Sequence, residues 1–188
     1  MLDLIRAVRL ASENATDAPT LIEIASAAED YVAEYSASPD SDKLISSFEQ
    51  ELQAVHRDVL DYSSLSQLEV FLVVLSHIKP FLTPTSLIYW WEIVLRPALR
   101  EPKLGASAVN HAKDLVITIL RRTEENYIQK IRDFRRQLFD LYLLDAHDEG
   151  FGNEVLELDV DQRDRRTCWK LNLEDILLQF GNENLEVC

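Results

Sequence analysis

Arginine and lysine side chains concentrate in the second half of the sequence, where they could bind phosphate or carboxylate groups. More than half of the 19 lysines and arginines lie between positions 121 and 170. If the helices that carry them are neighbours, some of these side chains could form one patch for a phosphoinositide headgroup or an acidic partner. The members of this predicted basic patch are Arg132, Arg135, Arg136, Arg163 and Arg166.

A solvated charged face is the other interpretation of the same residues, and we favour it. Oppositely charged residues at helical spacing, such as Asp133 with Arg136 or Asp161 with Arg165, could pair along one helix. Exposed runs of charged residues of this kind are usually only solvated, and their ion pairs contribute little to stability.

A short acidic run contains side chains of metal-ligand type, namely Asp145, His147, Asp148 and Glu149. A site for a hard cation needs alternating oxygen donors around a glycine turn, and this run does not have that spacing. We therefore predict an exposed acidic loop over 145–159 and no metal site.

Histidines occur at positions 56, 77 and 111, each within a helical pattern. No serine or cysteine nucleophile stands at a recognisable elbow near them in the sequence. The sequence predicts no catalytic residue and no cofactor, and we expect these histidines to be surface or core-edge residues of a protein that is not an enzyme.

Composition limits the class of protein. The 188 residues carry a formal net charge of −14, which repels nucleic acid and anionic surfaces unless a local patch overrides it. Two cysteines are too few for a disulfide framework and fit a reducing compartment. The longest apolar run is far shorter than the ~20 residues of a membrane span. We expect a cytoplasmic protein with no nucleic-acid partner.

Apolar residues recur with helical period along most of the chain, separated by short polar breaks. Thr20 and Glu23 have the spacing of a capping box, and Gly181 is a suitable residue just past a helix end. The pattern predicts about eight helices and no strand, over residues 2–13, 20–35, 41–60, 65–79, 86–102, 106–122, 123–145 and 161–180.

The segment 86–102, SLIYWWEIVLRPALREP, is apolar over nearly half its circumference. Such a helix must be covered from two directions, which favours a stack of antiparallel helix pairs over a closed bundle. Pro97 should bend the helix near Val94, and Trp90 and Trp91 fit a core better than a ligand box. The predicted structural core includes Phe71, Val74, Trp90, Trp91, Val94, Leu95, Leu115 and Ile119.

These patterns predict an all-α chain that forms a HEAT- or armadillo-like α-solenoid of about eight helices. No repeat of fixed period is visible, which is typical of degenerate units of these types. We expect residues 1–188 to be a single helical-repeat domain at the N-terminus of a longer protein.

Three motifs follow one another within residues 65–120: VFLVVLSHIKPFLTP, YWWEIVLRPALREPKL and NHAKDLVITIL. In this order they resemble the N-terminal core of fungal hamartin homologues, the scaffold subunits of the tuberous sclerosis complex. In that family an apolar helix leads through a proline-containing turn to a helix with paired tryptophans and an acidic residue. Trp90, Trp91 and Glu92 match these positions, and an internal proline follows, as Pro97 does here.

The resemblance implies a non-catalytic role. Hamartin stabilises and positions tuberin, which stimulates GTP hydrolysis by the small GTPase Rheb and so restrains target-of-rapamycin (TOR) signalling. The resemblance also implies three properties of the full-length protein. These are a tuberin-like GTPase-activating partner, self-association, and peripheral contact with phosphoinositide membranes of lysosomes or vacuoles. No catalytic residue can be carried over from the family.

A helical adaptor of the ENTH or VHS type is the alternative. Such adaptors are stacks of about eight helices that bind phosphoinositides or cargo peptides in membrane trafficking. A lipid-inserting adaptor would need basic residues beside its N-terminal amphipathic helix, and the sequence offers only Arg6 and Arg9 there.

Overall fold

The computed structural model describes residues 3–13, 15–36, 40–58, 64–122, 125–148 and 160–185. Within these ranges the chain forms helices and short connections and contains no strand. The α-helical segments are α1 (Leu4–Ser12), α2 (Leu21–Ser36), α3 (Ser41–Asp58), α4 (Leu65–Ile78), α5 (Pro84–Trp90), α6 (Arg96–Arg100), α7 (Ala106–Arg121), α8 (Ile128–Asp148) and α9 (Val160–Leu185).

A π-helical segment, Trp91–Leu95, joins α5 and α6 into one continuous helix, which we call the composite helix. The described residues therefore hold eight helices, and the prediction of an all-helical chain is confirmed. Short 3-10 turns, Lys79–Phe81 and Glu125–Tyr127, follow α4 and precede α8.

Two helix ends differ from the prediction. We expected Gly181 to end the last helix, but α9 continues through it to Leu185. We expected a loop from residue 145, but α8 continues to Asp148. Residues 149–159, the rest of the predicted acidic loop, lie outside the described ranges, as do the side chains of Asp145, His147 and Asp148.

Contacts group the chain into two compact units, Met1–Thr83 and Pro84–Cys188. The first unit contains α1 to α4, and the second contains the composite helix and α7 to α9. The prediction of a single helical-repeat domain in a longer protein stays a prediction.

The centre of the first unit is α4, which packs against α1 and α2. Its apolar residues point in almost every direction, and Phe71, Leu72, Val74 and Leu75 are all buried. A helix that is apolar nearly all round is stable only when neighbours cover it on several sides. The sequence of α4 therefore dictates its central position.

Specific polar contacts fix the ends of the neighbouring helices. The backbone N–H of Thr20 donates to the Glu23 carboxylate at 2.8 Å, and the N–H of Glu23 donates to the Thr20 hydroxyl at 3.3 Å. This reciprocal pair confirms the predicted capping box. The Gln67 side chain donates to the carbonyl of Ser12 at 3.0 Å and so satisfies a group at the end of α1.

Pro97 explains the π-helical segment of the composite helix. Proline has no N–H, and its ring clashes with the carbonyl four residues earlier, here that of Ile93. The N–H of Arg96 donates instead to the carbonyl of Trp91, five residues back. The structure thus contains a wider turn at Trp91–Leu95, of a kind found inside α-helices, and the bend that we predicted near Val94 stays a prediction.

The apolar content of the helices bears on membrane insertion. No described helix combines the length and the apolar content that crossing a bilayer requires.

Candidate interaction surface

Helices α8 and α9 of the second unit carry the five arginines of the predicted basic patch. The inner face of α8 is apolar, and Ile131, Phe134 and Leu138 are buried on it. The three arginines of α8, Arg132, Arg135 and Arg136, lie between these positions and so project from the flanks and the outer face of the helix. Arg132, Arg136 and Arg163 are exposed, whereas Arg135 and Arg166 are half-buried.

Arg135 is held by the protein itself. Its guanidinium donates to the carbonyl of Leu120, near the end of α7, and lies 5.3 Å from the centre of the Phe180 ring. Carbonyls in the last turn of a helix have no intrahelical donor, so Arg135 satisfies a group that would otherwise be unpaired. We conclude that Arg135 links three helices of the second unit.

Arg136 lies among carboxylates. Its Nε is 3.8 Å from the Asp140 carboxylate, and Asp133 also lines the shallow pocket beside it. Asp133 accepts a hydrogen bond from the Gln129 side chain at 2.9 Å. Two acidic groups beside one arginine give this part of α8 a mixed charge that does not favour an anion.

The arginines of α9 lie near its other end. Arg163 and Arg166 are in the first two turns of α9. Phe180, whose ring contacts Arg135, lies about 21 Å beyond Arg166 along the helix axis. Between the two predicted patch members, Arg165 pairs with Glu101 at 3.2 Å. The five arginines therefore lie at more than one place on α8 and α9. Their binding of phosphate or acidic groups stays a prediction.

The eight residues of the predicted structural core are all buried, with exposed fractions between 0% and 3%. Trp91 lies at the centre of the second unit. Its ring centre is 5.3 Å from that of Phe134 and 5.9 Å from that of Trp169, so it contacts both α8 and α9. The Arg100 guanidinium covers the Trp169 ring at 4.7 Å. Trp91 therefore connects the composite helix to α8 and α9 and is buried from solvent.

A small polar cluster beside these rings was not predicted. The side-chain amide of Asn172 donates to the carbonyl of Leu99 at 2.9 Å, and the Cys168 thiol lies 3.7 Å from the same oxygen. This carbonyl is available because the composite helix ends at Arg100. Burial raises the pKa of the Cys168 thiol, so the uncharged form is favoured.

One ion pair joins α7 to α9 at the edge of the same unit. The Lys113 ammonium donates to the Asp175 carboxylate at 2.7 Å. This hydrogen bond is the main cause of the lowered pKa of Asp175. The only sequence signal for it was the presence of a lysine and an aspartate on two helices, which gives no pairing by itself.

Three of the four histidines, at positions 56, 77 and 111, lie on three different helices. His56 of α3 is buried with its ring edge against Phe71, 5.2 Å between ring centres. His77 of α4 has its Nδ1 3.8 Å from the Glu29 carboxylate, and His111 of α7 is half-buried. Among the described residues, no three side chains of metal-ligand type lie close enough together to hold a metal ion.

We compared the chain with known proteins of three kinds. No protein-family model, no curated protein and no solved structure matches it. The resemblance to hamartin therefore remains a prediction, and the all-helical fold of the described residues rests on the structure alone.

Proposed function

We propose that the chain is a non-enzymatic scaffold, the N-terminal core of a hamartin-like subunit. In this role it helps to stabilise and position a tuberin-like GTPase-activating protein and so restrains TOR signalling. The observation that carries the proposal is the placement of the segment on which the resemblance rests. Trp90, Trp91, Val94 and Leu95 are at most 1% exposed, so the motif is a packing element.

The packing of this motif supports a scaffold in a specific way. Trp91 contacts rings on both α8 and α9, so the composite helix is covered from two directions. Wide coverage of this kind is what helical repeats require, because each pair must bury one face on its partner and another on the next pair. We therefore also propose that the helices form stacked antiparallel pairs of the HEAT or armadillo type.

The charge of the chain supports proteins as partners. A net charge of −14 disfavours nucleic acid and anionic lipid at long range. We propose the tuberin-like protein as the main partner of the full-length protein, with self-association and peripheral contact with lysosomal or vacuolar membranes as further properties of a cytoplasmic scaffold. Membrane contact would depend on local basic residues such as Arg132 and Arg163.

Affinity purification of the tagged protein from its own cells tests the proposal. We expect a tuberin homologue among the co-purifying proteins, and raised TOR activity when the gene is deleted. Recovery of clathrin machinery without such a homologue would overturn the proposal in favour of the ENTH- or VHS-type adaptor. Substrate turnover that a change at His77 or His111 abolishes would overturn the non-enzymatic role.

A further inference from the structure

The first unit contains a groove of about 900 Å³ between α1 and α2, which the predicted function does not use. Its floor is formed by small or apolar residues, among them Ala7, Leu10, Ala18 and Ala27. A volume of this size is within the range of ~300–1,000 Å³ that is typical of ligand pockets. The groove is therefore large enough to receive part of another molecule.

The two helices border the groove with the same spacing. Each contributes residues at positions i, i+3, i+4 and i+7, which lie on one helix face over two turns, or about 10 Å of axis. The bordering residues are Asp3, which is the N-cap of α1, with Arg6, Ala7 and Leu10 of α1, and Glu23, Ser26, Ala27 and Asp30 of α2. Two helix faces with small residues between them form a surface on which a third helix can lie.

The rim of the groove is acidic. Four carboxylates, those of Asp3, Asp17, Glu23 and Asp30, line it together with one arginine, Arg6. Asp17 and Glu23 lie toward the loop between the two helices, and Asp3 and Asp30 lie toward the other end. The hydrogen bond from the Thr20 N–H lowers the pKa of Glu23, so this carboxylate stays ionised to a lower pH than an ordinary glutamate.

We propose that this groove docks a basic amphipathic helix of a partner protein. The partner helix would place small apolar side chains on the floor and lysines or arginines over the carboxylates at both ends. Charge complementarity selects this occupant, because the same rim repels phosphate groups and acidic helices. The inference goes beyond the scaffold proposal and does not rest on it, since the groove lies outside the segment that carries the family resemblance.

A synthetic peptide provides a direct probe. It would contain about 18 residues, roughly five helical turns, with alanine and leucine on one face and lysine on the other. We expect fluorescence anisotropy to show saturable binding that weakens as salt is added, because exposed charges are screened over about 10 Å at 0.1 M ionic strength. A scrambled peptide of the same composition and a peptide with glutamate in place of lysine should each bind at least ~10-fold more weakly.

Variants of the groove locate the binding. The double change Asp17→Lys and Asp30→Lys replaces one of the two carboxylates at each end of the rim by a lysine and so removes the net negative charge of each pair, and Ser26→Phe fills part of the groove from an exposed position. Each should weaken binding of the amphipathic peptide by at least ~10-fold. The matched control, Glu13→Lys with Glu34→Lys, makes the same change of charge at exposed positions of the same unit that do not line the groove. It should change the affinity by less than ~2-fold.

Several results would overturn the proposal. These are equal affinity for the scrambled peptide, an equal effect of the control variant, or no binding by a protein whose circular dichroism shows it to be folded. Sedimentation velocity provides one more. If the protein forms a dimer that the Asp17→Lys and Asp30→Lys changes dissociate, the groove belongs to a second copy of the chain and the proposed partner is wrong.

Discussion

The central helices of the two units are both buried, but different contacts cover them. In the first unit α4 is a regular helix whose own buried residues are mainly aliphatic, with Leu72, Val74 and Leu75 at most 1% exposed. In the second unit the composite helix contains a π-helical segment, packs through Trp91 and accepts hydrogen bonds at Leu99. Non-directional packing covers the apolar sides of both helices, whereas the carbonyl left free at the end of the composite helix needs a particular donor.

The three tryptophans allow the two units to be observed separately. Trp90, Trp91 and Trp169 all lie in the second unit, whereas helical circular dichroism reports on both. Urea unfolding followed by the two signals therefore shows whether a substitution acts on one unit or on the whole chain.

Trp91→Ala should have the largest effect on stability. Removing a ring that contacts Phe134 and Trp169 leaves a cavity at the centre of the second unit, and we expect a loss of about 3–5 kcal/mol. Phe139→Ala is the control, because Phe139 is 52% exposed and its loss should change stability by less than ~0.5 kcal/mol. Equal unfolding free energies of the two variants would contradict the central role of Trp91.

Leu72→Ala makes the corresponding change in the first unit. Leu72 is fully buried in α4, so the lost burial and the cavity should cost about 2–5 kcal/mol, measured by circular dichroism in urea. Ile22→Ala at an 81% exposed position should have little effect. A loss below ~1 kcal/mol would contradict the central packing of Leu72 in the first unit.

Asn172→Ala tests the directional contacts of the second unit. The change removes the amide donor of a buried carbonyl, that of Leu99, and should cost about 1–3 kcal/mol in unfolding free energy. Asn110→Ala removes the same type of side chain from an exposed site on α7 and is the control. If the two variants have equal unfolding free energies, the hydrogen bond from Asn172 does not contribute to the stability of the second unit.

Gly181→Ala should stabilise the second unit slightly. Gly181 lies within α9, and a methyl group added there would meet no atom within 4 Å. Alanine is favoured over glycine inside a helix by about 0.5–1 kcal/mol. Gly105→Ala should show no such gain, because Gly105 is the N-cap of α7, where alanine is disfavoured. A destabilising Gly181→Ala would contradict the continuation of α9 beyond this residue.

The pair of Lys113 with Asp175 should make the smallest contribution, and it should depend on pH. Because the folded protein lowers the pKa of Asp175 below its ordinary value of 3.8, the contribution is present above that pH and is lost as the pH falls through the folded pKa. The Asp175 side chain is 44% exposed, so solvent screening should keep the effect below ~1 kcal/mol.

Asp175→Asn provides the measurement for this pair. The difference in unfolding free energy between the natural protein and the variant should be largest near neutral pH and should shrink below about pH 4. Asp164→Asn, at an exposed position of α9, is the control. A difference that stays constant down to about pH 2 would contradict the assignment of the pKa shift to this pair.

Local signals in the sequence predicted much of the secondary structure. The apolar period of α4 and the capping box of Thr20 and Glu23 depend on residues a few positions apart, so they can be identified without the fold. The apolar segment 86–102 likewise predicted a helix with wide cover. Gly181 was misleading because a glycine inside a helix costs only about 1 kcal/mol, so the helix can continue through it to Leu185.

The candidate sites depended on contacts that the sequence does not encode locally. Arginines on α8 and α9 could be identified as a group, but only the packed helices place Arg135 on the Leu120 carbonyl and beside Phe180. The residues that border the groove between α1 and α2 have the same helical spacing on both helices, but only the packed fold shows that these two faces lie side by side and remain open. Predicting such features requires knowledge of which side chains and backbone groups from distant segments of the chain come into contact.

The sequence by itself determined that this protein is helical and which faces of its helices are buried, because apolar periodicity and end signals act over one or two turns. The tertiary structure alone decided how Pro97 is accommodated, which donors satisfy the carbonyls of Leu99 and Leu120, and where a groove remains open. These outcomes depend on the distance and direction between atoms of different helices. Hydrogen bonds and ring contacts are directional and short-ranged, so they are fixed only when the helices have packed.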